Sequence, residues 1–144
     1  MMQGSVCKVC GYIAINGRAP DKCPVCGAPK TSFEKKDAIK TAQDEAKLSE
    51  KHTPVITVVK QCGLIPEGCQ DVHVNVGEVL HPMLPEHYIT TIDFYIDSEF
   101  MARVYLTPEK LNPAAALHLK VKSGKLSVIE HCNLHGAWIK EEDL

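Results

Sequence analysis

YITTIDFYI, residues 88–96, places Tyr88, Thr90, Ile92, Phe94 and Ile96 on one face at a spacing of two. That period belongs to a β-strand with one face toward a core. The runs on either side have the same texture: VITVVK (55–60) and DVHVNV (71–76) before it, then FMARVYL (100–106), ALHLKVK (116–122) and KLSVIE (125–130) after it. Ser123-Gly124 predicts a tight turn between the last two runs, and Pro108 and Pro113 bracket a longer connection. About seven short strands with almost no helical periodicity predict an immunoglobulin-like antiparallel β-sandwich over residues 50–144.

Upstream the texture changes twice. Residues 34–49 fall in a charged, Ala-containing stretch in which Ile39, Ala42 and Ala46 can share one helix face, so a linker with a short helix is expected there. Residues 1–33 are rich in Gly, Pro and Cys and lack sustained periodicity. They read as a small domain folded around a metal.

The 144 residues carry a net charge of −2, unevenly spread. The first 33 residues are basic and residues 52–144 acidic. An acidic main body without a basic stripe argues against nucleic acid as a partner. It also requires a local cation to attract any small anionic substrate. No run approaches membrane-spanning length, and MMQGSVCKVC at the start has no apolar signal core. A cytoplasmic protein with no membrane partner is expected. In that compartment seven cysteines point to thiolate and metal chemistry.

Cys7-x2-Cys10 and Cys23-x2-Cys26 form a four-thiolate pattern, each pair written on a turn, CKVCG and CPVCG. The Gly after each second cysteine permits left-handed backbone and lets amides point back at sulfur. Four thiolates hold Zn²⁺ or a single iron, and spacing does not separate the two. The CPVCG turn and the CGY after Cys10 resemble the short rubredoxin-like domain of rubrerythrins over residues 5–33. This favours iron, with zinc the alternative.

The remaining chemistry lies in EKHTPVI (50–56), HPMLPEHYI (81–89) and HCNLHGAW (131–138). Singly, each fragment is weak: a lone loop histidine is usually solvated, and Cys-x2-His is only half of a site. Together they fall at strand ends or in loops, where a sandwich gathers distant side chains. Pro54, Pro82 and Pro85 stiffen the backbone beside them. In this order they resemble the active-site motifs of superoxide reductases, the desulfoferrodoxin and neelaredoxin family, over residues 50–140.

The resemblance implies a mononuclear non-haem iron held by His52, His81, His87 and His135 in one plane, with the Cys132 thiolate on the axis and the opposite position open. It implies one-electron reduction of superoxide to hydrogen peroxide, with the iron reduced again by an external donor such as rubredoxin. Glu50 and Lys51 match an EKH triplet of the family. The resemblance gives Lys51 the attraction of superoxide and Glu50 a carboxylate for the oxidised iron. A dimer or tetramer of the chain is expected. Two-iron members generally carry an adjacent Cys-Cys pair at the N-terminus, which this chain lacks. A superoxide dismutase and a non-enzymatic zinc-ribbon interaction protein are the rival readings.

Amides of Leu134 and His135 are expected at the Cys132 sulfur, and Trp138 is expected to pack near the site. His131 is expected beside the ligand set, and His73 and His118 toward solvent. Cys62 and Cys69, in CGLIPEGC, are expected to frame a hairpin excursion as free or oxidised thiols, without a metal role.

Overall fold

The computed structural model describes residues 1–144. Ten strands are present: β1 (Met2–Cys7), β2 (Ile13–Ala14), β3 (Phe33–Lys40), β4 (Pro54–Val59), β5 (Gln70–Val76), β6 (Ile89–Ile96), β7 (Glu99–Tyr105), β8 (Ala114–Leu119), β9 (Lys125–Cys132) and β10 (Gly136–Asp143). The one α-helix, α1, spans Ala46–His52. No helix is long and apolar enough to cross a membrane.

Two sheets make the sandwich. The larger runs β2-β1-β3-β10-β9-β6-β7 and the smaller β4-β5-β8. The expected β-sandwich is present, with strands β4–β10 divided between the two sheets. Between the sheets lie Val72, Val74 and Val76 of β5, Ile92 and Phe94 of β6, and Leu126 and Val128 of β9. Burial of each such side chain stabilises by roughly 1.5–3 kcal/mol before entropy is charged against it.

The period-two reading of β6 finds its inward face: Ile92, Phe94 and Ile96 all enter this core. The opposite face is covered too. Asp93 and Tyr95 are buried, and Tyr95 joins a second core with Tyr12, Ile13, Ile39, Ile129 and Ile139. Its hydroxyl donates to the Ile13 carbonyl at 2.7 Å, and its ring stacks on Tyr12. The N-terminal segment is thus packed onto the sandwich through shared side chains.

One local expectation fails. Residues 33–40 form strand β3, paired antiparallel with β1 and parallel with β10 through Ile39↔Ala137, so the helix expected around Ile39 is absent there. Burial of Ile39 against β10 outweighs the weak helical spacing of a charged segment. The helix that does form begins at Ala46 and runs into His52. Ser123-Gly124 turns the chain, though not within a hairpin, because β8 pairs with β5 whereas β9 pairs with β6 and β10. The turn carries the chain from one sheet to the other, with Gly124 at φ 127°. β6–β7 does form a hairpin in the large sheet, turning on Asp97 and Ser98, both at positive φ.

Candidate metal centres

His52 ends α1, His81 and His87 stand in the loop between β5 and β6, and Cys132 ends β9 with His135 in the turn to β10. The fold brings all five together. His52 Nε2 and His81 Nε2 are 3.2 Å apart. The Cys132 sulfur lies 3.5 Å from His81 Nε2 and 3.8 Å from His135 Nδ1.

The rings follow one another in a cycle. His52–His81, His81–His87, His87–His135 and His135–His52 have centroids 4.6–5.0 Å apart and meet nearly edge to face. His52 and His87, across the cycle, are 6.3 Å apart and only 31° from parallel. This is the arrangement of four imidazoles directed at one central point, with a sulfur close by.

Backbone carbonyls fix the rings. Leu48 O accepts from His52 Nδ1 at 2.8 Å and Pro82 O from His81 Nδ1 at 2.7 Å, leaving each Nε2 free for a metal. His87 Nε2 is buried with no hydrogen-bond partner. An unpartnered nitrogen aimed into such a cluster is what a metal ligand looks like without its metal. Burial lowers the pKa of His52, His87 and His81, the last to about 4, so all three are neutral and able to ligate at pH 7. Burial pushes the Cys132 thiol up, against amide donation from Leu134 and His135. These are the two amides expected at that sulfur, and a bound cation would complete its ionisation. Four imidazoles with one thiolate suit iron.

Residues outside the expected set hold this geometry. Asn133 accepts from the Tyr88 amide at 3.0 Å and donates to the Glu86 carbonyl at 3.1 Å, locking the Cys132 turn to the His81–His87 loop. Gly77 passes so close to α1 that a Cβ would stand 2.7 Å from the Glu50 carbonyl. Trp138 is fully buried, stacks on His52 at 5.1 Å and donates to the His135 carbonyl. His131 Nε2 approaches Asp93 at 3.4 Å, beside the ligand cysteine. The loop asparagine and the glycine carry signals only in three dimensions.

Glu50 and Lys51 occupy the last turn of α1, and both are exposed. The Lys51 charge reaches His87 and helps lower its pKa, after burial and His135. Glu50 lines a surface depression with Ser49, Glu78 and Lys140. His73 faces solvent, as expected.

The second centre is built from two similar knuckles. Gly11 donates to the Cys7 carbonyl and Gly27 to the Cys23 carbonyl, both at 2.9 Å. Both glycines adopt left-handed φ, 79° and 77°. The sulfurs of Cys7 and Cys26 lie 3.6 Å apart and those of Cys10 and Cys23 3.5 Å. Burial pushes Cys10 up to about 12. At Cys7 burial also opposes ionisation, but amides of Cys10 and Val9 help bring it down to about 7. The four thiols suit a tetrahedral iron or zinc.

The fold and these two centres define a class: a β-sandwich bearing a four-histidine, one-cysteine metal centre, with a four-cysteine centre ahead of it. A family model for desulfoferrodoxin matches residues 44–141, and one for the rubrerythrin rubredoxin-like domain matches residues 6–34. The chain belongs to the desulfoferrodoxin family and carries a rubredoxin-like domain at its N-terminus. It is 37% identical over 120 residues to a superoxide reductase of Pyrococcus abyssi, covering 76% of this chain and 97% of that one. A desulfoferrodoxin homolog of Archaeoglobus fulgidus is 38% identical over 141 residues, covering 96% and 95%. The solved superoxide reductase (neelaredoxin) of Ignicoccus hospitalis superposes with a TM-score of 0.57 at 31% identity, over 74% of this chain and 93% of that one.

Proposed function

We propose that this chain is a superoxide reductase, an oxidoreductase that takes superoxide, one electron and two protons to hydrogen peroxide. The observation that carries the reading is the ring of His52, His81, His87 and His135 with the Cys132 sulfur beside it. Iron held there supplies one-electron redox chemistry, tuned by an electron-rich thiolate.

The remaining roles belong to the chain's own groups. Leu134 and His135 amides moderate charge on the Cys132 sulfur. The Leu48 and Pro82 carbonyls hold imidazole orientation, and Trp138 keeps water from the His52 side. Lys51 draws the superoxide anion toward the His87 side against the acidic body, and Glu50 offers a carboxylate from the same turn. Residues 1–33 form the four-cysteine unit and residues 50–144 the unit that acts on superoxide.

The rubredoxin-like unit fits electron transfer, with an external rubredoxin-type donor as the source. A run of contacts supports that role: Arg103 holds both the Cys10 carbonyl and Asp93, and Asp93 meets His131, the neighbour of Cys132.

The test is the visible spectrum of the oxidised, iron-loaded protein. A thiolate-to-iron band additional to those of the four-cysteine centre is expected in the natural protein and lost in Cys132→Ser. A spectrum left unchanged by the substitution would remove Cys132 from the centre.

A further inference from the structure

A third set of metal-ligand atoms lies at the end of β4 and β5 away from His52. Cys62, Cys69, Asp71 and His118 each offer one donor atom, all four within 4.8 Å of one another. We propose that they form a zinc-type cation site that staples the Gln61–Cys69 excursion to the small sheet.

The strands prepare the two polar ligands. Asp71 on β5 and His118 on β8 are direct cross-strand partners, and His118 Nδ1 lies 2.7 Å from Asp71 Oδ1. The excursion between β4 and β5 then folds its two cysteines over this pair. Its mouth is closed by the Cys62 amide donating to the Cys69 carbonyl at 3.1 Å, and Gly68 supplies a left-handed φ of 67° just before Cys69. Cys62 Sγ is 3.3 Å and Cys69 Sγ 4.0 Å from His118 Nδ1, and Cys69 Sγ is 3.8 Å from Asp71 Oδ1.

Those separations fit a tetrahedron. With metal–ligand bonds of about 2.0–2.3 Å, donor atoms stand roughly 3.3–3.8 Å apart. The Cys62–His118 and Cys69–Asp71 separations, 3.3 and 3.8 Å, lie in that range, and Cys69–His118 at 4.0 Å lies just beyond it. The His118–Asp71 hydrogen bond would open by about half an ångström as both groups turned to a cation. Two thiolates, one imidazole and one carboxylate are a borderline-soft, four-coordinate set that suits Zn²⁺.

A second feature points the same way. Cys62 Sγ receives the Leu64 amide at 3.3 Å and also that of Ile65. Amides two and three residues ahead cradle the sulfur of Cys7, from Val9 and Cys10, and of Cys132, from Leu134 and His135. The same cradle thus recurs at one sulfur in each of the three clusters. A metal staple would order an excursion that has no regular secondary structure of its own, and it gives the unexpected pairing of Cys62 and Cys69 with His118 a purpose.

The experiment compares full-length protein with Cys62→Ser/Cys69→Ser and with His118→Ala. All three are treated with a phosphine reductant, equilibrated with Zn²⁺, freed of excess metal and analysed for metal per chain. Natural protein is expected to hold one more equivalent than either variant. Co²⁺ in place of Zn²⁺ should add thiolate-to-cobalt bands that both variants lack. Because His118 is exposed, its variant tests the site even where the double serine variant unfolds. Equal metal in all three proteins would overturn the proposal, as would a reduced natural protein that reforms a Cys62–Cys69 disulfide and takes up no additional zinc.

Discussion

Arg103 grips Asp93 with two parallel hydrogen bonds, Nε at 2.6 Å and Nη2 at 2.8 Å, in a pair almost wholly removed from solvent. Its third nitrogen, Nη1, donates to the Cys10 carbonyl at 2.7 Å. One guanidinium therefore joins β6 and β7 to the four-cysteine loop. Burial raises the cost of charging Asp93, but His131 and Arg103 outweigh it and hold its carboxyl below the ordinary range. A depressed carboxyl pKa stabilises the fold above the unfolded value and loses that contribution as pH falls through the folded one. Arg103→Ala leaves the carboxylate buried without its bidentate partner, and should cost about 3–5 kcal/mol in denaturant unfolding at pH 7. The difference between the two proteins should shrink once the pH is low enough to protonate Asp93.

Gly77→Ala tests how α1 is held. The added Cβ would stand 2.7 Å from the Glu50 carbonyl and 3.0 Å from both Lys51 C and the Thr53 carbonyl, all backbone atoms with little freedom to yield. Overpacking of this kind costs about 1–3 kcal/mol and moves the helix that ends in His52. Stability and iron retained after dialysis should both fall. Gly63→Ala, which meets nothing within 4 Å, should change neither.

The buried imidazoles set a pH dependence in the metal-free protein. Burial lowers His81 from 6.5 to about 4, and lowers His52 and His87 as well. Between those limits the unfolded chain binds protons that the folded one refuses, so stability is lost as pH falls from about 6.5 toward 4. Urea midpoints measured at pH 7 and pH 5 should show the loss, and His81→Gln should flatten it.

Lys51→Ile removes the cation expected to draw superoxide to the His87 side. The second-order rate with superoxide should fall by on the order of tenfold, and its dependence on ionic strength should weaken. An unchanged rate would place the attraction elsewhere.

The sandwich was legible because its strands alternate: Ile92, Phe94 and Ile96 announce a buried face by spacing alone. Strand β3 was not, since FEKKDAIK buries only Ile39, and that burial exists only once β1, β10 and the residues around Tyr12 are packed beside it. The five ligands could be gathered from three fragments, yet the atoms that aim them could not. Leu48 and Pro82 act through carbonyls, which carry no side-chain signature. Asn133 bridges two loops distant in sequence. His118 reads as a solvent-facing strand residue, and it is exposed. Its partner Asp71 and the folded-over cysteines are visible only once β5 and β8 are paired.

The central claim rests on what becomes of superoxide. Iron-loaded, pre-reduced protein mixed with a known amount of superoxide, with a rubredoxin-type donor present, should yield one hydrogen peroxide for each superoxide consumed and one electron drawn from the donor, without evolution of oxygen. Half as much peroxide, accompanied by oxygen and independent of the donor, would make the protein a dismutase and contradict the account.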